Sequence, residues 1–212
     1  VGEHVFGPSL FQAGAFIFLP MQVAILIDGG HLRVVSRKAK KYYDPNYIER
    51  LAHAAVVEDE TLFRILYYDC APYNGQAALP VSGAEHAFNG SDRWLKDLAA
   101  KDLFAVRLGI LKFRGFKPKK IPIAAQPLKD ADFVPDFEQK GVDMRIGLDI
   151  ASFSLSRVVD RLILFSNDTD CIPAMKYGRK AGLQIVLAVM DGASTAAELK
   201  AHADFTRKVN WP

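Results

Sequence analysis

Four aspartates stand where a fold could gather carboxylates around a cation. Asp28 closes the apolar run Val23 to Ile27, and Asp168 and Asp170 follow the apolar run Arg161 to Phe165 within the segment SNDTD. Asp143 opens a stretch of helical spacing that runs through Ser156 and leads into the second of those runs. Short, continuously apolar runs read as buried parallel strands. Two parallel strands of one sheet end at the same edge, and ligands of open α/β sheets bind outside that edge. Carboxylates brought together without a cation repel and raise one another's pKa. Hard oxygen donors favour Mg²⁺ or Mn²⁺, which keep waters and take up substrate phosphate. The chemistry expected of Asp28, Asp143, Asp168 and Asp170 is therefore metal-assisted displacement at phosphorus, with water rather than a side chain as nucleophile. Any one of these aspartates alone reads equally well as a turn former or helix cap. Delivery from three separated segments to one edge favours the metal.

Other residues could support such a site. Asp149 lies about 120° around a helix from Asp143 and four positions beyond Arg145, so a salt bridge on a solvated face competes with a supporting role. His31, just after the first strand, can hydrogen-bond a carboxylate or substrate and titrates near neutrality; it reads equally as a helix-start residue. Ser166 and Lys140 flank the acidic segments, and Lys140 is placed to balance their charge or touch phosphate. Basic residues gather at Arg33, Arg37, Lys38, Lys40 and Lys41, and again at Lys112, Arg114, Lys117, Lys119 and Lys120 with Phe113 and Phe116 between them. Cations with interleaved aromatics suit a single-stranded nucleic-acid track. The competing reading of the second group is a solvated basic face over core aromatics.

The elements that must position these residues alternate. Strands are expected over 23–27, 62–68, 104–116, 161–165 and 184–189, with helices over 47–57, from Ser91, over 140–156, over 172–181 and over a closing segment 194–203. Asp28-Gly29-Gly30 reads as a tight turn, Asp44-Pro45 as a helix entry, Ser91 as the start of a capped helix and Gly182 as a helix stop. Residues 117–139, with four prolines, read as a loop or hairpin insertion. Alternating strands and helices predict a Rossmann-like α/β three-layer sandwich with a mostly parallel central sheet.

Composition bounds the class. The chain has 212 residues, 50% apolar and 24% charged, enough for one sizeable core. A net charge of +3 permits a polyanionic partner without arguing for one. Two cysteines, Cys70 and Cys171, cannot build a disulfide framework or a four-ligand zinc site, which fits a cytoplasmic location. No apolar run is long enough for a membrane span. Residues 1–20 read as an extension upstream of Met21, with the domain proper over 21–212. No G-x-G-x-x-G or G-x-x-x-x-G-K-[ST] is present for a dinucleotide or P-loop site. Nothing in the chain opposes assembly as a homodimer.

Taken together, ILIDGGHLR at 25–33, RILYYDCAPYN at 64–74, VRLGILKFRG at 106–115, KGVDMRIGLDIA at 140–151 and LFSNDTDCIPAMKYGRKAG at 164–182 resemble the NYN domain family, its LabA-like branch above all. The resemblance runs in order from Met21 to Val209. It implies a PIN-like fold and a metal-dependent ribonuclease acting on single-stranded RNA. The implied Mg²⁺ or Mn²⁺ ligands are Asp28, Asp143, Asp168 and Asp170, with Asp149 matching the family's second helix aspartate. His31, Asn167 and Cys171 depart from the common pattern. Those departures keep a second reading in view, an RNA-binding module that cleaves little or nothing.

Overall fold

The computed structural model describes residues 20–123 and 127–212. The chain runs through β1 (Met21–Asp28), α1 (Gly29–Lys38), α2 (Pro45–Ala54), β2 (Glu60–Cys70), β3 (Asn74–Ala78), β4 (Glu85–Asn89), α3 (Arg93–Ala99) and β5 (Phe104–Pro118). It continues through β6 (Phe133–Lys140), α4 (Val142–Ser156), β7 (Arg161–Phe165), α5 (Ile172–Lys180), β8 (Gln184–Met190), α6 (Ala197–Ala201) and β9 (Phe205–Val209).

Every residue of β1 from Val23 to Ile27 is fully buried. Val23, Ile25 and Ile27 enter one core, and Ala24 and Leu26 enter the other, as the two-residue period of a strand requires. Burial on both faces is why the run is continuously apolar. Each such Leu or Ile contributes about 1.5–3 kcal/mol.

Seven strands form one sheet in the order β6-β5-β2-β1-β7-β8-β9. All neighbouring pairs are parallel except β5 with β6. Leu32 of α1, Ile48 and Leu51 of α2, and Leu95 and Leu98 of α3 pack on one face; Ile146 and Ile150 of α4, Met175 of α5 and Leu199 of α6 pack on the other. The chain winds from β1 outward to β5, then crosses back by α4 to β7 on the far side of β1. The expected three-layer α/β sandwich is what forms, and its topological switch point lies between β1 and β7.

Several local expectations change. Asp28-Gly29-Gly30 is no separate turn: β1 passes directly into α1, with the Asp28 side chain as cap. A Cβ on Gly29 would lie 2.8 Å from the Tyr68 carbonyl oxygen and 2.3 Å from the Tyr67 hydroxyl, so close approach to β2 demands the glycine. The insertion at 117–139 is a hairpin whose return strand, β6, adds antiparallel to β5. The helix from Ser91 begins at Arg93, and its N-cap Asp92 makes no capping hydrogen bond, because that carboxylate pairs with Lys96 instead. The closing segment is a short α6 followed by β9, a parallel edge strand on β8. Asp44 does cap α2, accepting the Tyr47 N–H at 2.6 Å, and Gly182 does stop α5, at φ +92°. Residues 1–19 of the expected extension lie outside the described residues.

At the amino edge of the sheet, Glu60 of β2 has a fully buried side chain and receives Arg161 of β7 and Arg207 of β9, plus the Val57 N–H at 3.0 Å. One carboxylate thus ties three strands. Both cysteines are buried and free. Among the described residues, no helix is long and apolar enough to cross a membrane.

Candidate functional site

The carboxyl ends of β1 and β7 meet at the switch point, and the first acid lies there. Asp28 is nearly buried, at 8% exposure. Its Oδ1 accepts the His31 N–H at 3.0 Å and its Oδ2 accepts the Ser166 hydroxyl at 3.4 Å. Ser166 follows β7 directly, and its Oγ also accepts the Asp168 N–H at 3.1 Å. One hydroxyl therefore ties the two strand ends together. Asp168 caps a single 3₁₀ turn, Thr169–Cys171, and accepts the Asp170 N–H at 2.9 Å. That turn sets Asp168 and Asp170 side by side.

Asp143 arrives from α4, which packs on the same sheet face as α5. Gly141, at φ +77°, lets the chain leave β6 and enter α4 at once, which puts Asp143 in the first helical turn. Asp143, Asp168 and Asp170 each offer a carboxylate oxygen within 4.8 Å of the others. Asp28 stands beside this triad, and it shares with Asp143 and Asp168 a cleft of about 840 Å³ that also meets Arg33 and Arg37.

Burial raises the pKa of Asp28, with the charge of Asp168 adding to it, against hydrogen bonds from the His31 N–H and Ser166 that favour the ionised form. Burial likewise raises Asp143, followed by the charges of Asp168, Asp28 and Asp170. None of the four makes an ion pair with a described residue. A set of hard oxygen donors that repel one another and lack a protein cation fits a divalent ion.

The family model for the NYN domain matches residues 22–209. The chain belongs to the NYN domain family. NYN domains are generally PIN-like nucleases, and the nuclease members act on RNA. No curated protein matches the chain. Among solved structures, a Vibrio parahaemolyticus protein of unknown function is 18% identical, with a TM-score of 0.52, over 90% of this chain and 93% of that one. That likeness concerns the fold.

Other expected site residues of this NYN domain are dispersed. Asp149 does not pair with Arg145, which donates instead to the Gly141 carbonyl at 2.8 Å. Asp149 accepts the Tyr68 hydroxyl at 2.9 Å and pairs with Arg107 of β5 at 3.3 Å, so it joins α4 to the sheet behind the triad. Lys140 pairs with Glu138 rather than with the acidic cluster. His31 reaches Asp28 through its backbone N–H, while its ring lines the cleft; burial lowers its pKa, favouring the neutral ring. Arg33 and Arg37 line the cleft one helical turn apart on α1, whereas Lys38 faces a neighbouring cavity. Arg114 and Lys117 pair across the hairpin with Glu138 at 2.7 Å and Asp136 at 2.5 Å. The neighbouring aromatics Phe113 and Phe116 pack with Phe88, Phe137 and Tyr73 to hold the β3–β4 hairpin on the β5–β6 extension.

Two residues of the NYN domain site were not singled out from the sequence. Asp69, at the end of β2, is buried and pairs with Arg33, accepts the Tyr67 hydroxyl at 3.2 Å and takes the Cys70 N–H at 2.8 Å. It fixes the guanidinium at the cleft wall. Its signal was present, an acid closing an apolar strand as Asp28 does. Gln139 of β6 also lines the cleft, and nothing in its sequence surroundings marks it.

Proposed function

We propose that this NYN domain is a metal-dependent ribonuclease of the LabA-like branch that hydrolyses phosphodiester bonds of single-stranded RNA. The observation carrying the reading is the convergence of Asp143, Asp168 and Asp170 within 4.8 Å, at a cleft that Asp28, Asp143 and Asp168 line together with Arg33 and Arg37. Asp28, Asp143, Asp168 and Asp170 would hold Mg²⁺ or Mn²⁺. Bound there, the ion would supply positive charge for the scissile phosphate and acidify the attacking water. The chain's own residues do the rest. Ser166 and the His31 N–H hold Asp28 oriented, the 3₁₀ turn holds Asp168 against Asp170, and the Arg33 fork, braced by Asp69, offers its exposed side to a phosphate.

The test is incubation of labelled single-stranded and duplex RNA with the protein in Mn²⁺, Mg²⁺ or chelator, beside Asp168→Asn. Metal-dependent cleavage of the single strand, lowered about 10²–10³-fold in Asp168→Asn, is the expected result; one group of an electrostatic site carries that order of magnitude. Cleavage that survives in Asp168→Asn or in chelator overturns it. RNA binding with a steep salt dependence but no cleavage in any metal would make the domain a binding module.

A further inference from the structure

Beside the carboxylate cleft lies a second cavity of about 500 Å³, within the range that encloses a small ligand. The two share His31, Val34 and Asn167, so a chain leaving one passes directly into the other. The second cavity has a different character. Its wall is the Trp211 indole, supported by Ala193 and the core on which both pack. The ring is held in place by its Nε1–H, which donates to the Asp191 carbonyl at 2.9 Å. The Lys41 ammonium sits over the indole, 5.9 Å from its centroid, and Lys38 lines the same space. Polar groups line it as well, among them Asp191, whose carboxylate pairs with Lys208 at 3.2 Å. The Asn167 Oδ1 accepts the Ala196 N–H at 2.8 Å, so its NH₂ is what remains for a ligand, and Ser194 adds a hydroxyl. A flat aromatic wall, hydrogen-bonding groups and a lysine in the lining suit a nucleobase and its phosphate.

We infer that this cavity takes one unpaired nucleobase of the RNA, stacked on Trp211, next to the phosphate held at the carboxylate cleft. The inference rests on the ribonuclease reading and gives it a physical basis for single strands. A base paired in a duplex cannot leave its stack for an enclosed pocket without unpairing. Lys38, which lines the cavity, offers its charge to the phosphate of the stacked nucleotide. Asn167, in the loop that follows β7, is bonded to the loop before α6 and forms the wall between the two cavities.

The test is a thermodynamic cycle in chelator, where no cleavage interferes. Binding of a fluorescein-labelled oligo(U) RNA and of an abasic ribose-phosphate chain of equal length is measured by fluorescence polarisation with the wild type and with Trp211→Ala. Stacking of a base on an aromatic side chain corresponds to roughly 5- to 150-fold in affinity. Removal of the bases is therefore expected to weaken binding to the wild type about tenfold more than it weakens binding to Trp211→Ala. Equal losses in the two proteins, or no binding of either RNA, overturn the inference. Should Trp211→Ala unfold, Ala193→Leu fills the cavity and is expected to reduce the same base-dependent difference; an undiminished difference in that variant overturns the inference. The ribonuclease reading fails separately. Equal losses with intact Mn²⁺-dependent cleavage remove the base pocket alone, and full coupling without cleavage in any metal removes the nuclease alone.

Discussion

At the residue scale, the acidic cluster is held together by small, specific bonds. Asp28 and Asp168 accept the His31 and Asp170 N–H groups and are joined through Ser166, and Asp143 has its pKa raised by burial and by the charges of Asp168, Asp28 and Asp170. Without a cation this arrangement costs stability. Asp143→Asn is therefore expected to raise the melting temperature of the metal-free protein by about 2 °C, the scale of a ΔΔG below about 1 kcal/mol at this chain length, while cleavage is lost. A lower melting temperature in chelator would show that the carboxylates do not repel as their positions imply. Arg33 provides a different comparison. Asp69 holds one side of its fork, so Arg33→Lys keeps the charge but loses the planar grip. The expected outcome is a several-fold higher KM for RNA with kcat nearly unchanged, read from initial rates; an equal fall in kcat would put Arg33 in the reaction rather than in binding.

At the scale of elements, two junctions decide whether the site exists. The first is the passage from β1 into α1. A methyl group on Gly29 would collide with the Tyr68 carbonyl and with the buried Tyr67 ring. Gly29→Ala should therefore destabilise by about 1–3 kcal/mol, the range for overpacking, and disturb the Asp28 cap; urea unfolding measures the first and metal affinity the second. The second junction is Glu60, which joins β2, β7 and β9 at the opposite edge. Burial pushes its pKa up, but hydrogen bonds from Arg207, the Val57 N–H and Arg161 outweigh this and hold it below its ordinary value. A depressed carboxylate contributes stability above the unfolded pKa and loses it as pH falls through the folded value. Wild-type stability should therefore fall with acidification below about pH 4.3, the ordinary value of a glutamate, and fall less in Glu60→Gln. At neutral pH Glu60→Gln should itself cost about 3 kcal/mol, since two arginines lose their charged partner. Parallel pH profiles of the two proteins would count against this assignment.

At the scale of the whole molecule, the two halves of the winding converge on the site, so an ion bound there would be linked to folding. A divalent ion at about 100 times its Kd is expected to stabilise the native state by about 2.7 kcal/mol, or about 5–10 °C for a chain of this size. Thermal unfolding with Mn²⁺, with chelator, and with Asp168→Asn checks this. The expected pattern is a rise with Mn²⁺ that chelator reverses and that the variant lacks; a melting temperature indifferent to Mn²⁺ would argue against the acidic cluster as an ion site.

The sequence alone determined the layered α/β architecture, because strands buried on both faces must be continuously apolar, as Val23 to Ile27 and Leu162 to Phe165 are. It also identified the strand-end acids Asp28 and Asp168, since chain direction in a parallel sheet fixes the edge at which they emerge. The return strand β6 and the edge strand β9 were less legible: edge strands carry mixed polar residues, and their pairing is decided by a partner far away in the chain. Side-chain pairing was least legible. That Asp149 takes Arg107 rather than Arg145, that Lys140, Arg114 and Lys117 are drawn to the acids of β6, and that Asp69 braces Arg33 depend on which strands lie side by side. Tertiary structure alone decided these matters, because the energy of a charge pair depends on distance and burial, and neither is set by spacing along the chain.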